Sequence, residues 1–135
     1  MSNDRLDEVT ASYHRCRHDK AFVDTFYDLF LAKSPEIAEK FANTDFSVQK
    51  RMLRESLLTL LTYNLGIEGA REDVIGLGKR HHKLGIRPEL YDMWLDTLCE
   101  AIRKHDPQYT PELEKLWRKA MQAPIDLMLS KEATS

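Results

Sequence analysis

The chain has 135 residues, of which 42% are hydrophobic, and a net charge of -2 at pH 7, which suits one compact domain. The nearly balanced charge argues against a nucleic-acid partner. The polar N-terminus lacks the apolar segment that a signal peptide needs, so none is expected. The longest apolar stretch, residues 57–63, is too short to span a bilayer, so no membrane association is expected. Because its two cysteines, Cys16 and Cys99, make no disulfide framework, we expect a cytoplasmic protein.

Helical periodicity begins near the N-terminus. A stripe of apolar and aromatic side chains predicts the first helix: Leu6, Val9, Tyr13 and Cys16. An aromatic-rich stripe predicts a second helix near residues 19–33. Ser34, followed by a proline and an acid, is typical of a helix start and predicts a short third helix over residues 35–41. Residues 42–46 are interpreted as a loop, and Ser47 is expected to cap a longer fourth helix.

Glycines divide the middle of the chain. Gly66 and Gly69 end the fourth helix, and the next is predicted near residues 72–84. Within it, Gly76 and Gly78 indicate either local weakness or tight packing.

The C-terminal part contains two further helix starts. Gly85 ends the fifth helix, Pro88 opens the sixth, and Thr110 caps the last one. Pro124 should bend or interrupt that helix, and the tail from Ser130 is expected to fray. No alternating strand pattern occurs, so the predicted class is all-α with about seven helices.

Motifs of the common catalytic classes are missing: the sequence has no nucleophile elbow, phosphate-binding loop, Cys-x-x-Cys or His-Glu-x-x-His. The unusual feature is a histidine pair. His81 shares a helical stripe with Val74, Leu77 and Leu84, whereas His82 points roughly 100° away. A neutral imidazole on an apolar wall can ligate haem iron, and the structural alternative is an exposed helix histidine.

The segment RHHKLGIRPELY resembles the proximal segment of bacterial globins and of the globin domains of flavohaemoglobins, with His81 and Tyr91 ten positions apart. FYDLFLAKSPEIAEKF resembles the second and third helices of that family, QKRMLRESL its distal helix, and ELEKLWRKAMQAPIDLMLSKE its last helix. The resemblance covers about residues 22–132. It implies a single globin domain over residues 1–135, packed around haem b.

The resemblance also implies site residues. His81 would be the axial ligand of the haem iron, with His82 as a less favoured competitor. On the distal side, Tyr27 would donate a hydrogen bond to bound dioxygen, and Gln49 would support it. Phe41 and Leu53 would form the apolar wall. The structural alternatives are a core aromatic for Tyr27 and a solvated side chain for Gln49. The short loop before Gln49 can shift the distal register.

On the proximal side, the resemblance places Tyr91 and Glu132 as the pair that hydrogen-bonds the axial imidazole. Arg80 would pair with a haem propionate. The alternatives are a core aromatic for Tyr91, a solvated terminal acid for Glu132 and a solvated arginine for Arg80. Because Pro124 precedes Glu132 in the last helix, the position of that acid depends on how the helix continues.

The implied function is reversible binding of dioxygen, nitric oxide and carbon monoxide, for scavenging, sensing or nitric oxide detoxification. An activity as a nitric oxide dioxygenase would need electrons from a separate reductase, because we expect the flavin and nicotinamide domains of flavohaemoglobins not to be encoded here. Two alternatives remain open: a peroxidase-like haem enzyme, and a regulatory protein that has the globin fold without haem.

Overall fold

The computed structural model describes the backbone of residues 2–135 and the side chains of residues 6–135. The chain forms α1 (Ser2–Arg17), α2 (Phe22–Leu31), α3 (Pro35–Lys40), α4 (Phe46–Asn64), α5 (Ala70–Lys83), α6 (Pro88–His105), α7 (Pro111–Met128) and α8 (Lys131–Thr134). No strand occurs among these residues, so the predicted all-α class is confirmed. None of the described helices could cross a membrane.

The core lies where α2 packs on α6 and where α7 packs on α1, α4 and α5. Its largest fully buried side chains include Phe26, Leu57, Leu98, Trp117 and Met121. Burying each such side chain stabilises the folded state by about 1.5–3 kcal/mol relative to leaving it exposed. The aromatic face of α2 docks against α6, and α4 packs against α5.

Three polar side chains cap the helices. Ser34 accepts a hydrogen bond from the Ile37 amide at 3.2 Å, and Thr110 accepts one from Leu113, so both predicted caps are confirmed. The predicted cap of α4 is wrong. The Asp45 carboxylate, not Ser47, accepts from the backbone at 3.0 Å. The cap, and with it the start of the helix, therefore lies two residues earlier than predicted, and α4 begins at Phe46.

The C-terminal tail does not fray. Residues 131–134 form α8, which packs against α5, and Ala133 is only 1% exposed. The contact depends on Gly78, where a Cβ atom would lie 2.8 Å from the Met128 Cα and 2.9 Å from the Ala133 Cβ. Gly78 thus marks tight packing, the second of the two meanings that the sequence left open.

Pro124 does not interrupt α7, which runs unbroken from Pro111 to Met128. A proline inside a helix leaves the carbonyl four residues earlier without its amide donor. Here that carbonyl belongs to Ala120, and the Asn64 side-chain amide donates to it at 2.5 Å. A residue at the end of α4 thus supplies the hydrogen bond that Pro124 removes.

A buried polar network ties α1 to α6 and α7. The Ser12 hydroxyl donates to Asp106 at 2.5 Å and accepts from the Trp117 indole at 2.9 Å. The Arg15 guanidinium completes the network with a hydrogen bond of 2.6 Å to the same carboxylate. Because the Asp106 side chain is fully buried, these donors are what offset the free-energy cost of keeping its carboxylate charged.

Candidate functional site

A cleft of about 300 Å³ is lined by residues of the neighbouring helices α4 and α5. Met52 on α4 and Leu77 on α5 supply apolar walls, while Glu55 and Arg80 supply charged groups. Small-molecule sites typically measure about 300–1,000 Å³. The volume is therefore at the lower end of that range, and the chemistry of the flanking residues decides what the cleft can bind.

His81 lies near the end of α5 and is half-buried. Its Nδ1 is 3.1 Å from the Tyr91 hydroxyl, and the two rings meet edge to face with centroids 5.8 Å apart. Burial, assisted by the charge of Arg80, lowers the pKa of His81 and favours the neutral imidazole. With Nδ1 facing Tyr91, Nε2 is the imidazole nitrogen that could ligate a metal ion. His82 is exposed, as the sequence indicated.

Tyr27 and Gln49 bond to each other between α2 and α4. The Gln49 side-chain amide donates to the Tyr27 oxygen at 3.0 Å, and the Tyr27 hydroxyl faces the Gln49 carbonyl at 3.4 Å. Burial raises the pKa of Tyr27 to about 12, against the opposing effect of the Gln49 hydrogen bond. The hydroxyl therefore keeps its proton at neutral pH and can act as a donor.

Aromatic rings surround this pair. Phe41, which ends α3, lies 5.9 Å from the Tyr27 ring and 6.0 Å from that of Phe46. Leu53 is 5% exposed and follows Gln49 by one helical turn, so both lie on one face of α4. The short loop has therefore not separated Gln49 from Tyr27.

Sequence reasoning missed Phe46 because it was assigned to the loop. Its ring packs 5.5 Å from Tyr27. The available signal was an aromatic residue directly after Asp45, a good capping residue.

Arg80 is exposed on the α5 side of the cleft. Glu132, the predicted proximal acid, forms an ion pair with Arg71 on the outer surface. Arg71 precedes His81 by ten residues, which is about 15 Å along a helix. The structure thus brings Tyr91, but not Glu132, to His81. The prediction that Glu132 pairs with the His81 imidazole is therefore wrong. Glu132, at the start of α8, lies near the first residues of α5 and not near its end.

A family model described as Globin matches residues 24–126, which is most of the chain. The chain belongs to the globin family. This globin is also similar to a protein of Pseudomonas aeruginosa PAO1, described as structurally highly homologous to a human haemoglobin. The two are 40% identical, with a TM-score of 0.88 over 92% of this chain and 95% of that one. No curated protein matches this globin. The predicted family and globin fold are therefore confirmed.

Globins typically bind haem, and the residues of this globin fit such a group. Val48 and Met52 on α4 and Leu84 after α5 are 38%, 45% and 67% exposed, although all three are large and apolar. Of the three, Met52 lines the cleft, where an apolar ligand would contact it. His81 offers a neutral nitrogen, the donor that haem iron accepts.

Proposed function

We propose that this globin binds haem b between α4 and α5, with His81 as the axial ligand, and that it binds diatomic gases on the Tyr27 side. One observation carries the proposal. His81 is half-buried and neutral, and its Nδ1 is engaged by Tyr91, so the other nitrogen is free to ligate. The proposed site also includes Arg80, whose exposed guanidinium can pair with a propionate.

Bound haem would supply an iron atom that takes up dioxygen, nitric oxide or carbon monoxide. The chain's own residues would set how long a gas stays. Phe41 and Leu53 would exclude water from the site. The Tyr27 hydroxyl is 3.4 Å from the Gln49 carbonyl, which is longer than a normal hydrogen bond of about 2.7–2.8 Å between oxygens. Its proton can therefore turn toward a gas ligand at little cost.

Gln49 would hold Tyr27 in position for this donation. Its amide already donates to the Tyr27 oxygen at 3.0 Å, so the hydroxyl proton must point elsewhere. Two such groups favour tight dioxygen binding and slow release. We therefore favour gas scavenging, sensing or nitric oxide detoxification, with electrons supplied by a separate reductase, over bulk oxygen delivery.

The test is a set of absorption spectra of the haem-reconstituted globin in the ferric, ferrous and carbon monoxide forms. We expect a Soret band whose position differs among the three forms. His81→Gly should lose haem or change every spectrum, and added imidazole should restore the parental ones. His82→Gly is the matched control and should retain them. Parental spectra in His81→Gly without imidazole would contradict the proposal, and no Soret band in the wild type would favour a globin fold without haem.

The peroxidase-like alternative depends on an acid that makes the axial imidazole more anionic. Tyr91 contacts His81, but the predicted acid, Glu132, pairs with Arg71 instead. A neutral phenol alone is a weak acceptor for the imidazole proton, and burial raises the pKa of Tyr91 to about 12. The arrangement therefore supports reversible gas binding better than peroxide cleavage.

A further inference from the structure

A pair of histidines lies at the C-terminal end of α1, away from the cleft. His14 is on the helix, and His18 directly follows its last residue and donates its backbone amide to the His14 carbonyl at 3.3 Å. His14 and His18 are both exposed, and their rings are nearly parallel, with centroids 6.4 Å apart and planes 18° apart. Residues four apart lie on the same helical face, and a His-x-x-x-His pair on a helix is a known arrangement for binding zinc. We propose that His14 and His18 form a surface site for a divalent transition-metal ion, independent of haem.

The ring geometry needs little adjustment to bind a metal. A nitrogen ligand lies about 2.0–2.1 Å from a zinc ion, which places two chelating rings with centroids about 5 Å apart. The observed 6.4 Å exceeds this by little more than 1 Å. Rotation of two exposed side chains closes the gap without moving the helix backbone.

The neighbouring cations do not occupy the site. The Arg15 side chain points to Asp106, which it contacts at 2.6 Å. The Arg17 guanidinium lies 6.0 Å from the centre of the Tyr13 ring. Both positive groups are thus engaged with other partners, which limits their repulsion of a metal cation at the histidine pair.

The donor set predicts which metals bind. Across the described residues, no group of three or more histidine, cysteine or carboxylate side chains is arranged around a common point, so water must complete the coordination. Imidazole ligands suit copper, nickel and zinc, with affinity rising from manganese through cobalt and nickel to copper. Magnesium and calcium prefer oxygen ligands and should not compete.

The test is calorimetric titration of nickel chloride into the full, untagged chain. We expect one nickel-binding site, and His14→Gln and His18→Gln should each lower its nickel affinity at least tenfold. His82→Gln is the matched control, since it removes one exposed histidine elsewhere, and nickel affinity should stay within twofold. Circular dichroism checks that the variants remain helical.

Three results would overturn this proposal: no nickel binding by the wild type, unchanged affinity in His14→Gln or His18→Gln, or loss of the site in the control. None of these results bears on haem, because the spectra that test haem binding depend on His81. The two proposals can therefore fail separately.

Discussion

The Tyr27 hydroxyl is positioned by a single side chain, because Gln49 donates to its oxygen at 3.0 Å. Removing that hydroxyl keeps the ring and its contacts with Phe41 and Phe46. We expect Tyr27→Phe to load haem normally and to release dioxygen faster. A hydrogen bond to a charged acceptor is worth about 1.5–3 kcal/mol, which corresponds to roughly a 10- to 150-fold faster release.

Stopped-flow dissociation of dioxygen measures this effect. Gln49→Ala is the companion variant. It keeps the phenol but removes the group that orients it, so a smaller acceleration is expected. An unchanged rate in Tyr27→Phe would show that the hydroxyl does not reach the bound gas.

The sequence alone did not show how the Tyr27 and Gln49 side chains are oriented toward each other. The spacing of Tyr27, Gln49 and His81 was available from the resemblance, and the structure places the first two in contact. The Arg71–Glu132 ion pair was not predictable, because it depends on where α8 lies relative to α5. Sequence patterns specify which face a side chain occupies, but the partner of a long exposed side chain depends on tertiary packing.

At the scale of elements, α5 approaches α7 and α8 through Gly78. A methyl group there would lie within 3 Å of Met128 and Ala133. We expect Gly78→Ala to lower the free energy of unfolding by about 1–3 kcal/mol, as overpacking does. Chemical denaturation with circular dichroism measures it.

Gly76→Ala is the matched control, two residues earlier on the same helix. The nearest atom to a Cβ at Gly76 is the flexible end of Arg80, 3.9 Å away. Replacing glycine by alanine in a helix interior gains roughly 0.5–1 kcal/mol, so this variant should be as stable as the wild type or more so. Equal losses in both variants would reject the packing explanation.

The contact between α4 and α7 gives another prediction. Asn64→Ala should leave the Ala120 carbonyl without a donor and cost about 1–3 kcal/mol. Pro124→Ala returns a backbone amide to that carbonyl, so the double variant should recover part of the loss. The four proteins form a double-mutant cycle measured by urea denaturation, and strict additivity would exclude the proposed coupling.

Helix prediction succeeded where periodicity and caps agreed, as at Ser34 and Thr110. It failed at α4 because Asp45 and Ser47 are both good capping residues, and the sequence does not show which one reaches the free amides. The interruption expected at Pro124 does not occur, and the sequence could not show this because the compensating donor, Asn64, is 56 residues away from the Ala120 carbonyl. Likewise, α8 is too short to show a periodic pattern, and it depends on Gly78 for its packing surface.

At the scale of the whole molecule, Asp106 joins α1 to the end of α6. Hydrogen bonds to a charged group contribute about 1.5–3 kcal/mol each, and we expect Asp106→Asn to lower the free energy of unfolding by an amount of that order, because the Arg15 side chain left behind is 24% exposed and can be hydrated. Asp96→Asn is the control, because Asp96 is 56% exposed and pairs with Arg118 at the surface. For Asp96→Asn, thermal unfolding should show a decrease of at most about 1 kcal/mol in the free energy of unfolding.

The same network predicts how acid affects the fold. Burial alone would raise the pKa of Asp106, but hydrogen bonds from Arg15 and Ser12 outweigh it, and the pKa is lowered. The stability that this carboxylate contributes is present above its unfolded pKa of about 3.9 and is lost as pH falls through the lower pKa of the folded state. Asp106→Asn should reduce the acid sensitivity in that window.

His81 acts in a different pH range. Because its pKa is lowered in the fold, the unfolded chain takes up the proton first as pH falls below about 6.5. Acid therefore destabilises the globin in two separate windows. Unfolding curves between pH 3 and 8 would separate them, and His81→Gln should remove only the upper one.

The Ser12–Trp117 hydrogen bond also constrains the order of events during synthesis. These residues are 105 positions apart, so α1 leaves the ribosome long before its partner on α7 exists. At about 5–20 residues per second, the delay is roughly 5–20 s. For most of that interval neither Asp106 nor the Trp117 indole has been synthesised, so the nascent α1 lacks both partners of Ser12. The first helix to be translated is thus among the last to complete its hydrogen bonds to the rest of the fold.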